Sequence, residues 1–146
     1  MAYYSKPRGP PDGLLKRNDK HLWLEVVDVY NNHDEAHEER SAVTPSEKRH
    51  YHTPKPLISR DMDQRVFDEA EKKMRKEGYA SLRDTYGPGV LICCERDPLF
   101  ALPIALEFIL EKFRTSSKHL HDLNENVFQE IYLLEQNGTF HKLFPL

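Results

Sequence analysis

The chain has 146 residues, 38% of them hydrophobic and 31% charged, with a formal net charge of -3. That length holds one domain. The composition is too apolar for a wholly disordered chain, and the charge lacks the strong basic excess of a stand-alone nucleic-acid binder. Six of the ten prolines fall within residues 1–56, whereas the longest apolar run falls within residues 98–110. The core is therefore expected from the second half, and a core that small points to a partner.

Residues 1–20 read as irregular, with turn chemistry at Pro10-Pro11-Asp12-Gly13. They are locally basic, Lys6, Arg8, Lys16, Arg17 and Lys20 standing against Asp12 and Asp19. A basic tip of this kind suits an acidic surface, whether RNA, lipid headgroups or an acidic protein tail. The first residues contain no apolar stretch of signal-peptide length, and Pro7, Pro10 and Pro11 oppose an amphipathic presequence helix. Residues 21–30 are rich in β-branched and aromatic types. Alternation puts Leu22, Leu24 and Val26 on one face and Trp23, Val27 and Val29 on the other. One short strand is not stable alone, so this segment is expected to pair with residues 89–94, to bind a partner, or to be a helix instead. Residues 31–60 are polar and proline-punctuated and read as a linker or strap.

The first helix is expected from Asp61, which with Gln64 forms a capping box. Met62, Val66, Phe67, Ala70 and Met74 make its apolar stripe, and Gly78 is its natural stop. A helical turn through residues 80–85, a break at Gly87-Pro88-Gly89 and a buried apolar segment from Val90 to Cys94 follow. A second helix starts at Pro98 or Pro103. Its residues from Leu99 to Phe113 are apolar on most sides, as in the centre of a bundle. Residues 116–121 read as a turn. Asp122 or Asn124 then caps a last helix carrying Val127, Phe128, Ile131 and Leu134, stopped at Asn137-Gly138. The tail residues Phe140, Leu143, Phe144 and Leu146 are expected to dock on the bundle or on a partner.

The candidate chemical motifs are thin. His33 and His37 share the i, i+4 spacing of a helical zinc pair, but Asp34 stands where a metalloprotease needs Glu, and no helix-forming sequence surrounds them. His50/His52 and His119/His121 are alternate pairs without a thiolate or carboxylate at zinc spacing. Cys93 and Cys94 are adjacent, a poor geometry for a mutual disulfide, and their apolar flank implies inert buried thiols. Gly87-Pro88-Gly89 is too short to cradle a phosphate. Glu107, Glu111, Glu130 and Glu135 read as solvated helix carboxylates. No catalytic residue, metal site or cofactor is therefore expected.

These observations predict a mainly α fold. A small bundle of about three helices occupies residues 61–146, with room for one short strand pair, and residues 1–60 form a long extended arm. Tyr3, Tyr4, Arg8 and Trp23 are the residue types that anchor interfaces, and they are expected to bind a partner. The expected function is a non-enzymatic accessory subunit of a larger intracellular assembly, its arm tying neighbouring subunits together. A regulatory adaptor with a free arm, and a small metal protein or enzyme using His33 and His37, are the alternatives. Protein subunits are the expected partners. Nucleic acid, small-molecule ligands and a membrane span are not expected, and the compartment is a reducing one, with cytoplasm, cilium and organelle complex undistinguished.

Overall fold

The computed structural model describes residues 2–4, 11–30, 62–96 and 103–146. In chain order these form strands β1 (Ala2–Tyr4), β2 (Gly13–Arg17) and β3 (Lys20–Val29), then helices α1 (Met62–Met74) and α2 (Glu77–Tyr86). Strand β4 (Gly89–Glu95), helices α3 (Pro103–Thr115) and α4 (Ser117–Asn124), and strands β5 (Phe128–Leu134) and β6 (Phe140–Phe144) follow. The protein is thus an α/β fold. A mixed sheet of five strands, extended at one edge by the three-residue β1, replaces the expected helical bundle. The expected alpha-helical character gives way to a sheet covered by helices α1 to α4.

The strands lie side by side in sequence order. The β1–β2 and β2–β3 pairs are antiparallel, β3–β4 and β4–β5 parallel, and β5–β6 antiparallel. Parallel neighbours need a crossover connection. When two crossovers of one hand step in one direction across a sheet, both carry their helices to the same face. The burial agrees. Trp23, Leu91, Cys93, Phe128, Ile131 and Leu133 form one core with Val66, Ala70, Tyr79, Ala105, Ile109, Phe113 and Leu120 of the four helices. The alternate residues Leu24, Val26, Ile92, Tyr132 and Leu134, on the other face, are only half-buried.

Several expectations fail for identifiable reasons. Residues 2–4 and 13–17 are not an extended arm, because each finds a strand neighbour, whereas β3 pairs with residues 90–95 as its pattern predicts and with β2 as well. The segment from Phe128 to Leu134 is a strand, not a helix. Its apolar residues suit either period, and burial beside β4 decides between them. Asn124 closes α4 instead of opening a helix: its side chain donates to Phe128 O at 2.7 Å and accepts Phe128 N–H at 2.9 Å. The apolar tail then folds back as β6, and residues 117–121 of the expected turn belong to α4.

Helix α1 follows its stripe, with Met62, Val66, Phe67, Ala70 and Met74 buried. Helix α3 buries Ala105, Ile109 and Phe113 but leaves Ile104 and Phe108 45% and 52% exposed. It therefore covers one face of the sheet and does not occupy the centre of a bundle.

Candidate functional site

Glu25 is the one charged residue on the helix-facing phase of β3, between Trp23 and Val27. It is 6% exposed, and a carboxylate so placed needs partners. They come from three other segments. Oε1 accepts Lys73 Nζ of α1 at 2.9 Å and the Tyr79 hydroxyl of α2 at 2.6 Å, and Oε2 accepts the Asp12 N–H at 3.2 Å. Lys73 Nζ also meets the Tyr79 oxygen at 3.3 Å and lies 5.7 Å from the centre of its ring.

Asp12 immediately precedes β2. The β2–β3 register ends at Gly13↔Leu24, which sets Asp12 beside Glu25. Its Oδ2 accepts the N–H of Val26 at 2.8 Å, as a further strand residue would have done. The N–H and C=O of one strand residue point to the same side, so the Val26 carbonyl faces this edge too. Two carboxylates, a lysine and a tyrosine thus converge where β2 leaves β3.

Burial, followed by the hydrogen bond to Glu25, drives the Tyr79 phenol far above its ordinary range, so the hydroxyl stays protonated and donating. Trp23 backs the site, stacked on Tyr79 with ring centroids 5.9 Å apart. It is fully buried, and its Nε1–H donates to Gly87 O at 2.7 Å.

Of the residues singled out from the sequence, only Trp23 borders this site. Trp23 is in the core and offers no surface to a partner. Tyr3 and Tyr4 sit on the edge strand β1, opposite Leu15 and Leu14. Arg8, His33, His37, His50 and His52 lie outside the described residues. His119 pairs with Glu71 at 2.9 Å, and His121 is exposed. Cys93 is buried and Cys94 half-buried, and burial raises both thiols. Gly87-Pro88-Gly89 is a turn, Gly87 having φ 84°. The glutamates do not converge: Glu111 pairs with Arg114, Glu130 with Tyr132, and Glu135 with His141.

Sequence reasoning missed Asp12, Glu25, Lys73 and Tyr79. One signal was available. The alternation that puts Trp23 and Val27 on one face puts Glu25 there as well, and a charge on a buried phase is the informative exception.

Among the described residues no group of three or more His, Cys, Asp or Glu side chains is arranged to hold a metal, and no helix is long and apolar enough to cross a membrane. The fold and site define an α/β protein with its helices on one face of the sheet and a carboxylate–lysine cluster between sheet and helices. The chain matches no protein family, no curated protein and no solved structure.

Proposed function

We propose that this chain is a divalent-cation-dependent phosphodiester hydrolase whose working groups are Asp12, Glu25 and Lys73. The observation that carries this reading is the convergence of the Asp12 carboxylate, just before β2, and the Glu25 carboxylate of β3 with a lysine from α1. The donors are all oxygen, which suits a hard cation. Magnesium is commonly held by one or two carboxylates together with substrate phosphate and water, so a third acidic side chain is not required. Bound there, such an ion would polarise the phosphoryl oxygen and acidify a water.

The chain's own residues do the rest. Val26 N–H fixes the Asp12 carboxylate, and Tyr79 O–H and Asp12 N–H fix that of Glu25, so both are oriented before any ligand arrives. Lys73, bonded to Glu25 through one oxygen, supplies a positive charge for a phosphate that displaces it from that pair.

The test is incubation of the purified chain with DNA and RNA oligonucleotides in Mg2+ or Mn2+. Cleavage that falls at least 100-fold in Asp12→Asn, Glu25→Gln and Lys73→Met, with circular dichroism unchanged, is the expected result. No cleavage with either ion, together with no ion-dependent change in Trp23 fluorescence, overturns the reading.

A second reading is the non-enzymatic assembly subunit in a reducing compartment. Its support is the exposed apolar pair Ile104 and Phe108 on α3 and the two free thiols. Under it the Glu25–Lys73 pair only locks helices to sheet. Elution of the native protein from a gentle extract far above 17.2 kDa, with constant companions, supports this reading, and elution as a free monomer opposes it.

A further inference from the structure

The β2–β3 hairpin carries Lys16, Arg17 and Lys20 against Asp19, a local positive excess in a chain of net charge -3. Its two-residue turn is made by Asn18, at φ 56°, and Asp19, so Arg17 pairs with Lys20 and Leu15 with Leu22. Residues directly opposite one another point to the same side of a sheet. Leu15, Arg17, Lys20 and Leu22 therefore share the face away from the helices.

Strand β4 begins only at Gly89, and its pairing with β3 starts at Leu24↔Val90. The first residues of β3 thus run past the end of β4 and leave a notch that Gln129 of β5 borders. The notch is a cavity of about 660 Å³, with Leu15 and Leu22 in its wall and Arg17, Lys20, His21 and Gln129 around it. That volume falls within the range of small-molecule sites. Asp19 is the carboxylate on its rim.

We propose that this notch binds a nucleotide unit of a nucleic-acid strand, which names the substrate class of the hydrolase and rests on that reading. Arg17 and Lys20, side by side on one face, suit a single phosphate. The Leu15–Leu22 surface takes the flat apolar face of a base, and the Gln129 amide offers both a donor and an acceptor to its edge. The Leu15–Leu22 wall of the notch and its Arg17 and Lys20 lie on the opposite sheet face from Glu25, and the notch is about 13 Å along the strand from it, four residues at strand rise. It therefore anchors the strand at a distance from the bond to be cut and takes no part in cutting.

The experiment is fluorescence anisotropy of a labelled ten-nucleotide single strand, DNA or RNA, titrated with the full chain in EDTA at low salt. Arg17→Ala/Lys20→Ala should weaken binding at least tenfold and lower the slope of log affinity against log salt by about 1.4, two phosphate contacts' worth for a single strand. No binding by the wild type, or equal affinity and slope in the variant, overturns the proposal. Unlabelled adenosine monophosphate should compete more than 100-fold less well than unlabelled strand. Equal competition would make a free nucleotide the ligand and overturn the strand assignment. Glu25→Gln is included to keep the two readings apart. Binding by the wild type and by this variant, with no cleavage by the wild type, sinks the hydrolase and leaves the notch. Cleavage by the wild type that Arg17→Ala/Lys20→Ala leaves unchanged sinks the notch and leaves the hydrolase.

Discussion

The ring of Trp23 fills the space that any side chain on Gly89 would need: a Cβ there would lie 2.4 Å from Cδ2 and Cε2 of the indole. The ring cannot yield easily. Tyr79 stacks on it, Phe128 packs at 5.3 Å between centroids, and Gly87 O holds its N–H. Gly89→Ala should therefore cost about 3 kcal/mol, the upper end for overpacking a filled core. A lowered denaturant midpoint with an unchanged slope would show it.

The Glu25–Lys73 pair has side chains only 7% and 14% exposed. Removing one partner strands a charge, so Lys73→Met should destabilise by about 3 kcal/mol. Glu25→Gln/Lys73→Met removes both charges and should recover part of that loss. A double-mutant cycle in urea measures the coupling, and additive losses would show that the two side chains act independently.

Asn124, 2% exposed, satisfies both main-chain groups of Phe128 and so ties the end of α4 to the start of β5. Asn124→Ala should cost about 2 kcal/mol, because it leaves a buried N–H and C=O unpaired. Asn124→Asp should cost as much or more, since an oxygen would then face the Phe128 carbonyl. Thermal melts of the two variants decide it.

Glu71 is held below its ordinary value of 4.5, first by its hydrogen bond with His119 and also by Arg75. Because the folded value is depressed, the stabilisation is present above pH 4.5 and is lost as pH falls through the folded value. The pair is partly solvated, so Glu71→Gln should lower the melting temperature at pH 6 by only about 2 °C. The difference from wild type should close as the melts are taken below pH 4.

Burial raises the Cys93 thiol, and burial followed by the Asp28 charge raises that of Cys94. In the native protein at pH 8, Cys93 should not react with a thiol reagent, and Cys94 should react at least tenfold more slowly than free cysteine. In denaturant both should react fully. Rapid native labelling of Cys93 would contradict its position in the core.

Local chemistry made some of this protein readable. The stripe from Met62 to Met74, the break at Gly87, the strand-like alternation of residues 22–29 and the burial of Cys93 all follow from side-chain period, backbone restriction and apolar flanks, which act over a few residues. The character of residues 128–134 and 140–144 was not readable. A short apolar run satisfies helix and strand alike, and only a neighbouring strand with free main-chain groups chooses between them. The candidate site was hidden for the same reason. Asp12 looks like turn chemistry and Lys73 like a helix-end charge until the β2–β3 register and the packing of α1 bring both to Glu25, 13 and 48 residues away along the chain. The sequence alone determined which segments are apolar and that the chain breaks at Gly87-Pro88-Gly89. Which strands pair, which face the helices cover and which charges meet were decided by tertiary structure, because burial and long-range hydrogen bonding exist only once distant segments share one core.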